Sequence, residues 1–224
     1  DAFSISINTK AFAERIYHGG ITATGQFVRP DHPAAVPGIK TWVADEARAI
    51  KLLQEAGWHN KFKLTLMGSQ TTVPEAQKVF EALAQTWTRI GVKTDIKLFP
   101  SGLWIQKRIA GEVGSILSVY TASTSNAEAH ATPLLHTKDD TLAFGLFNYV
   151  GYSNPAVDKL IQQGQVTLDE KERNRLMREA MRLGVEDNVI IPLWFYSVTH
   201  ASKKTVKIDD RYGSDLRLQN IRPQ

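Results

Sequence analysis

Cysteine is absent from the 224-residue chain, which excludes a disulfide framework, a thiolate nucleophile, Cys-ligated zinc and an iron–sulfur cluster. Long apolar runs are missing as well. The longest, Val189 to Tyr196, has eight residues and contains Pro192, whereas a bilayer span needs about 20. No transmembrane helix is expected. Residues 1–10 show neither the basic n-region nor the apolar h-region of a signal peptide, so none is expected in this sequence. Charge of one sign is also scarce: 27 Lys+Arg against 23 Asp+Glu leave a formal charge of +4. Spread over mixed-sign segments, this predicts a solvated surface and no nucleic-acid partner. Finally, the strong catalytic signatures are lacking, among them Gly-x-Ser-x-Gly, the Gly-x-x-x-x-Gly-Lys phosphate loop, Gly-x-Gly-x-x-Gly and His-Glu-x-x-His.

What is present is hydrophobic periodicity. Phe62, Leu64 and Leu66 alternate with Lys61, Lys63 and Thr65, the pattern of a half-buried strand. Ala76, Phe80, Leu83, Trp87 and Ile90 then recur at helical steps, opened by a Thr72/Glu75 capping-box pattern with an early proline and closed by Gly91. Val92, Thr94, Ile96 and Leu98 alternate again. Strand, helix and strand with tight joints make a βαβ unit with parallel strands, so the fold class is α/β. Further helices are expected after Asp45, ending at Gly57, and after Asn154-Pro155. Another is expected from a Thr167/Glu170 capping box to Gly184. Ser115 to Tyr120 and Val189 to Phe195 read as strands, the second interrupted by Pro192. Two stretches, 19–41 and 121–151, read as long irregular segments, which in a compact domain are either binding loops or misread elements. Ala2 to Ile7 is apolar with no preceding cap or turn, as in a segment cut from something longer.

Candidate chemistry is sparse. Among the six histidines, His18 precedes Gly19-Gly20 at a helix end, where a cation is favoured. Glu128, His130 and His136 lie close in sequence and offer the donors of an open zinc site, which would suit a metal-dependent or hydrolytic enzyme. Their spacings do not place them on one helical face. The aromatics are more informative. Phe80 and Trp87 belong to the core stripe, but Tyr120 closes a strand and is followed by the hydroxyl and amide run that includes Ser123, Thr124, Ser125 and Asn126. Ligands gather beyond the carboxyl ends of strands in α/β sheets, where loops offer hydrogen bonds beside an apolar wall. Asn148 in the second loop and Trp194 at another strand end complete the candidate face.

Several stretches, in order along nearly the whole chain, carry a further signal. They are Ala2 to Lys10, Ala47 to Trp58, the Trp87 to Val92 join, Tyr152 to Asp158, Arg173 to Ala180, and Ile191-Pro-Leu-Trp194. Together they resemble the family 5 extracellular solute-binding proteins, the oligopeptide, dipeptide and nickel receptors of ABC importers. The resemblance implies a periplasmic-binding-protein-like (type II) lobe, a mixed sheet flanked by helices. Residues 1–202 would be the C-terminal ligand-binding lobe, and 203–224 a tail returning to an N-terminal lobe. It also implies a monomeric, non-catalytic protein in the periplasm or otherwise outside the cytoplasm, without a cofactor. Its partners would be a peptide or small-molecule solute and ABC permease subunits. In peptide-binding members the aromatic at the position of Tyr120, usually Trp, is followed closely by an Asp that pairs with the peptide ammonium. Here no acidic residue follows Tyr120 until Glu128. A buried ammonium without a counter-charge is costly, so a neutral or anionic ligand, or a peptide held by its backbone, is expected.

Overall fold

The computed structural model describes residues 1–39, 41–122, 126–208 and 221–223. Two short helices, α1 (Ala2–Ser6) and α2 (Thr9–Arg15), precede strand β1 (Ile21–Ala23) and helix α3 (Glu46–Glu55). Asp45 caps α3 as its sequence implies, its carboxylate accepting from Arg48 N at 2.9 Å. Strand β2 (Phe62–Ser69), helix α4 (Ala76–Arg89) and strand β3 (Val92–Phe99) form the βαβ unit. β2 and β3 run parallel in unbroken register from Phe62 opposite Val92 to Ser69 opposite Phe99. Helix α5 (Ser101–Ile109) follows, and strand β4 (Ser115–Ile116) joins the other side of β2, giving the order β3-β2-β4.

Helix α4 seats on this sheet through Val79, Phe80, Leu83 and Trp87, all buried. The approach is close: a Cβ on Gly68 of β2 would lie 2.2 Å from the tip of the Phe80 ring, so only glycine admits that ring. At the exit of α4, Gly91 takes φ +89°, the left-handed turn that lets β3 leave directly. This first core also takes in Ile7 and Phe12 from the N-terminal helices and Leu53 from α3.

A second core is built from helices α6 (Glu128–Leu135), α7 (Pro155–Val166) and α8 (Glu170–Glu186). Leu135, Val157, Ile161, Met177 and Met181 meet there, joined by Phe27 and Val28 from the 19–41 stretch. That stretch is therefore a packed strap. Gln26 holds it folded, accepting from Val36 N at 2.8 Å through its side-chain oxygen. Strand β5 (Trp194–Tyr196) pairs antiparallel with β1, and the short strands β6 (Val206–Ile208) and β7 (Ile221–Pro223) pair with one another. Among the described residues no helix is long and apolar enough to cross a membrane.

Five sequence expectations are corrected. The Thr72/Glu75 capping box does not form. Glu75 sits at the N-cap with φ 56° and no capping hydrogen bond, because the Thr72 hydroxyl instead accepts from Ser69 N at 2.7 Å in the turn leaving β2. Helix α8 is capped by Asp169, accepting from Glu172 N, while Thr167 closes α7 by donating to Gln163 O at 2.7 Å. The strand expected over 115–120 stops at Ile116, where its pairing with β2 ends. The strand expected over 189–195 is confined to 194–196, beyond Pro192. The 121–151 stretch contains α6, whose internal Pro133 and small residues hide the helical period.

Leu83 is 1% exposed at the centre of the α4–sheet contact. Leu83→Ala should lower unfolding free energy by about 2–5 kcal/mol in urea denaturation, the range for emptying a packed leucine site. A loss under about 1 kcal/mol would mean that this face of α4 does not carry the core.

Candidate functional site

Because β2, β3 and β4 are parallel, Ser69, Phe99 and Ile116 all end at one edge of the sheet. Phe99 stacks on Trp104 of α5, with ring centroids 6.1 Å apart and planes 4° from parallel. Arg108, one turn further along α5, lies over both the Trp104 ring and the Tyr149 ring, its guanidinium carbon 5.5 and 4.9 Å from the centroids. Tyr149 touches Phe147 at 6.0 Å, Phe147 touches Tyr120 at 5.4 Å, and Tyr120 meets the His130 ring at 5.9 Å. A continuous row of rings, interrupted once by a guanidinium, thus runs along the carboxyl edge of the sheet. Leu103, Ile105, Val119, Phe147 and Val150 are exposed there or in the adjoining loop.

Each member of the row is placed by an identifiable local device. The Tyr120 hydroxyl donates to Ala129 O in the first turn of α6, and burial raises its pKa, so it stays a neutral donor. The loop after α6 satisfies carbonyls of that helix: Gly145 N donates to Thr132 O and Phe147 N to Pro133 O, at 3.1 and 2.9 Å. Asn148 then fixes the next turn. Its amide nitrogen donates to His136 O and Tyr152 O, and its oxygen accepts from Tyr152 N. Asp187, the C-cap of α8, accepts from Tyr152 Oη at 2.5 Å and from Asn154 Nδ2 at 2.8 Å. These two bonds hold the Asp187 carboxyl below its usual range.

The structure brings Tyr120 and Asn126 together at the start of α6, where Asn126 O accepts from Ala129 N and faces His130 Nδ1. Asn126 also borders a cavity of about 160 Å³ shared with His32, Glu128 and Arg173. Two expected residues do not present themselves as supposed. Asn148 is buried and spends its amide on the loop backbone, because a turn closing on Tyr152 needs those partners. Trp194 packs with Phe12 and Tyr17 at 5.3 and 5.5 Å, beside the first core and outside the ring row, because β5 pairs with β1. Ser123, Thr124 and Ser125 lie outside the described residues.

The alternative metal set is not assembled. The Glu128 carboxylate pairs with Arg173 Nε at 2.5 Å, and His136 faces Gln162 Nε2 at 3.1 Å. His130 stands against Asn126 O and Tyr120, with its pKa lowered by burial. Among the described residues no group of three metal-type side chains is close enough to hold an ion. Sequence reasoning passed over Trp104, Arg108, Phe147 and Tyr149. The four-residue spacing of Trp104 and Arg108, after Pro100-Ser101 and before Gly111, was the available signal.

The profile of the bacterial extracellular solute-binding proteins, family 5 (middle region), matches residues 1–141. The chain belongs to this family. Glutathione-binding protein GsiB of Escherichia coli is 29% identical over 212 residues, covering 92% of this chain and 40% of that protein. The chain therefore spans about two fifths of the length of the curated relatives it matches. The dipeptide-binding protein of Pseudoalteromonas sp. SM9913, solved with Met-Leu, has a TM-score of 0.80 at 24% identity, covering 100% of this chain and 44% of that one. The periplasmic binding protein DppA of Helicobacter pylori, solved with the peptide STSA, has a TM-score of 0.77 at 22% identity, covering 87% and 37%. These likenesses show the fold of a periplasmic binding protein.

The Asp187 bonds anchor the loop that carries the family 5 chain's ring row, and they should leave a pH signature. The carboxyl titrates lower in the folded than in the unfolded chain. Its contribution is present above the ordinary value of 3.8 and is lost as pH falls through the folded pKa. Urea midpoints measured from pH 6 downward should therefore fall less steeply below about pH 4 in Asp187→Asn than in the parent. Parallel curves would show that Asp187 does not contribute to acid stability.

Proposed function

We propose that this chain is the C-terminal ligand-binding lobe of a two-lobe extracytoplasmic receptor. The receptor would capture a peptide or other small polar solute for an ABC permease, with no catalytic step. On this reading the lobe is residues 1–202, and the sequence from 203 to 224 is assigned to the tail that would return to the second lobe. The observation that carries this reading is the open row of rings at the carboxyl edge of the parallel sheet. An apolar face left open beside loop hydrogen-bonding groups is half of a pocket, and a second lobe hinging over it supplies the other half. Ligand then shifts the receptor to the closed form that a permease engages. The peptide complexes solved for proteins of the same fold support a peptide or similar solute. The Escherichia coli relative, a glutathione-binding protein, makes glutathione a first probe.

On this reading Tyr120 is the apolar wall and Asn126 belongs to the polar rim, to which Ser123, Thr124 and Ser125 are assigned from the sequence alone. Asn148 acts through the loop it fixes, and Trp194 serves the ring cluster on β5. The first carboxylate after Tyr120, that of Glu128, is engaged by Arg173. It is therefore not free to pair with an incoming ammonium. The receptor works as a monomer, and its contacts with permease subunits are made by the closed two-lobe form.

Two outcomes test this. In the full-length receptor, Tyr120→Ala should weaken binding of glutathione or Met-Leu, whichever binds, by about 1–3 kcal/mol in calorimetric titration, the scale of one large apolar wall. The 224-residue chain alone should bind the same solute far more weakly, because one wall leaves the contacts open to water. Equal affinity of chain and receptor would show that the site is complete within this chain.

A further inference from the structure

We infer that Arg108 is a carboxylate-binding residue on the ring face, and hence that the solute carries a carboxylate beside its apolar part. This rests on the receptor reading above for the identity of the ligand, but the anion site itself rests on geometry alone. Trp104, only 3% exposed and stacked on Phe99 at the end of β3, is a fixed floor for the side chain one helical turn away. Tyr149 offers a second ring to the same guanidinium. Rings at these distances attract the charge of the guanidinium but offer its N–H groups no carboxylate or carbonyl acceptor.

In this structure nothing binds them. The Arg108 Nε is buried and has no acceptor among the described residues, and no hydrogen bond or ion pair of the side chain is found there. Its neighbour in α5 is engaged. Lys107 bonds Glu112 at 2.8 Å. Arg108 is thus a half-buried fork of donors, beside the rings that lead to Tyr120, with its complement missing. A buried donor without an acceptor is unfavourable, and a charged one more so, which makes the site ready for an anion. A carboxylate matches the fork with two parallel N–H···O bonds. A single free cation balances one negative charge, which suits a carboxylate better than a phosphate dianion.

The placement also agrees with the acid-free run after Tyr120. A face that offers a positive group and no free negative one selects for acids and against bare amines. The source of the carboxylate, a peptide C-terminus or the α-carboxylate of a γ-glutamyl group, is what the solution test separates.

The first measurement needs no knowledge of the solute. In the isotope-labelled 224-residue chain, the Arg108 Nε–H signal, assigned by its loss in Arg108→Lys, is followed during titration with acetate. Chloride at equal ionic strength serves as the control. A saturable shift of this signal with acetate alone is the expected result, together with backbone amide shifts around residues 104–108 that are abolished in Arg108→Lys with the circular dichroism unchanged. Absence of a saturable shift, or an equal response to chloride, overturns the anion site.

The second measurement uses the full-length receptor with Met-Leu and its C-terminal amide, and with glutathione and its diester. The acid of at least one pair should bind at least tenfold more tightly than its neutral counterpart, and Arg108→Gln should remove that preference while leaving the neutral form within twofold. Preference in the Met-Leu pair alone assigns the site to a peptide C-terminus. Preference for glutathione alone, with none in the Met-Leu pair, leaves the α-carboxylate of its γ-glutamyl group as the source. A preference that survives Arg108→Gln refutes the assignment to Arg108 and keeps the receptor. If no peptide binds but the acetate shift is present, the peptide reading fails and the anion site stands.

Discussion

The backbone ladder between β2 and β3 is the constraint from which the rest follows. Eight consecutive residue pairs run in parallel, and a parallel pair cannot be closed by a tight turn, so the chain must cross over one face of the sheet. Helix α4 is that crossover, and its fit depends on Gly68 lying flat beneath Phe80. Once the strands are parallel, every strand end of the sheet faces the same way. The residues that follow them, Gln70 to Thr72, Pro100 to Arg108 and Leu117 to Tyr120, are delivered to one edge regardless of their separation in sequence. The ladder thereby brings the Phe99–Trp104 end of the ring row and Tyr120 to the same edge.

The loops that complete the row borrow their order from the second core. Asn148, Tyr152 and Asp187 are linked by hydrogen bonds that run from the loop to the C-cap of α8, so packing of α7 on α8 is transmitted to Phe147 and Tyr149. Glu128 and Arg173 join α6 to α8 in the same way. Both ion-pair partners are largely buried, and the pair therefore serves orientation more than net stability.

How much of this was legible in the sequence depended on whether a residue's role was local. The alternation of Phe62, Leu64 and Leu66, the helical stripe through Phe80, Leu83 and Trp87, and the caps at Asp45 and Asn154 were readable because each pattern is written in neighbouring residues. Capping at Thr72 and Thr167 misled because a hydroxyl has several backbone groups within reach, and at both places a nearer turn won. Helix α6 was hidden by Ala129, Ala131 and Pro133, which carry no periodic signal, and it exists because Ala131 and Leu135 pack on α7 and α8. The site was legible at Tyr120, where a strand end meets a polar run. It was not legible at Arg108, Phe147 and Tyr149, whose meeting is tertiary. Asn148 reads the same whether it faces a ligand or closes a turn, and only the backbone around it decides.

The pairing of β1 with β5 carries a kinetic consequence. Ile21 lies opposite Tyr196, near the two ends of the chain, whereas the β2–α4–β3 unit is closed by contacts within some 40 residues. Ordering the chain between residues 21 and 196 has an entropic cost that is recovered only when both cores are in place. The βαβ unit should therefore act as the early scaffold and the β1–β5 seam as the last joint to close and the first to open. Phe27 and Val28 follow β1 directly into the second core, so opening that seam would loosen the strap that ties one core to the other.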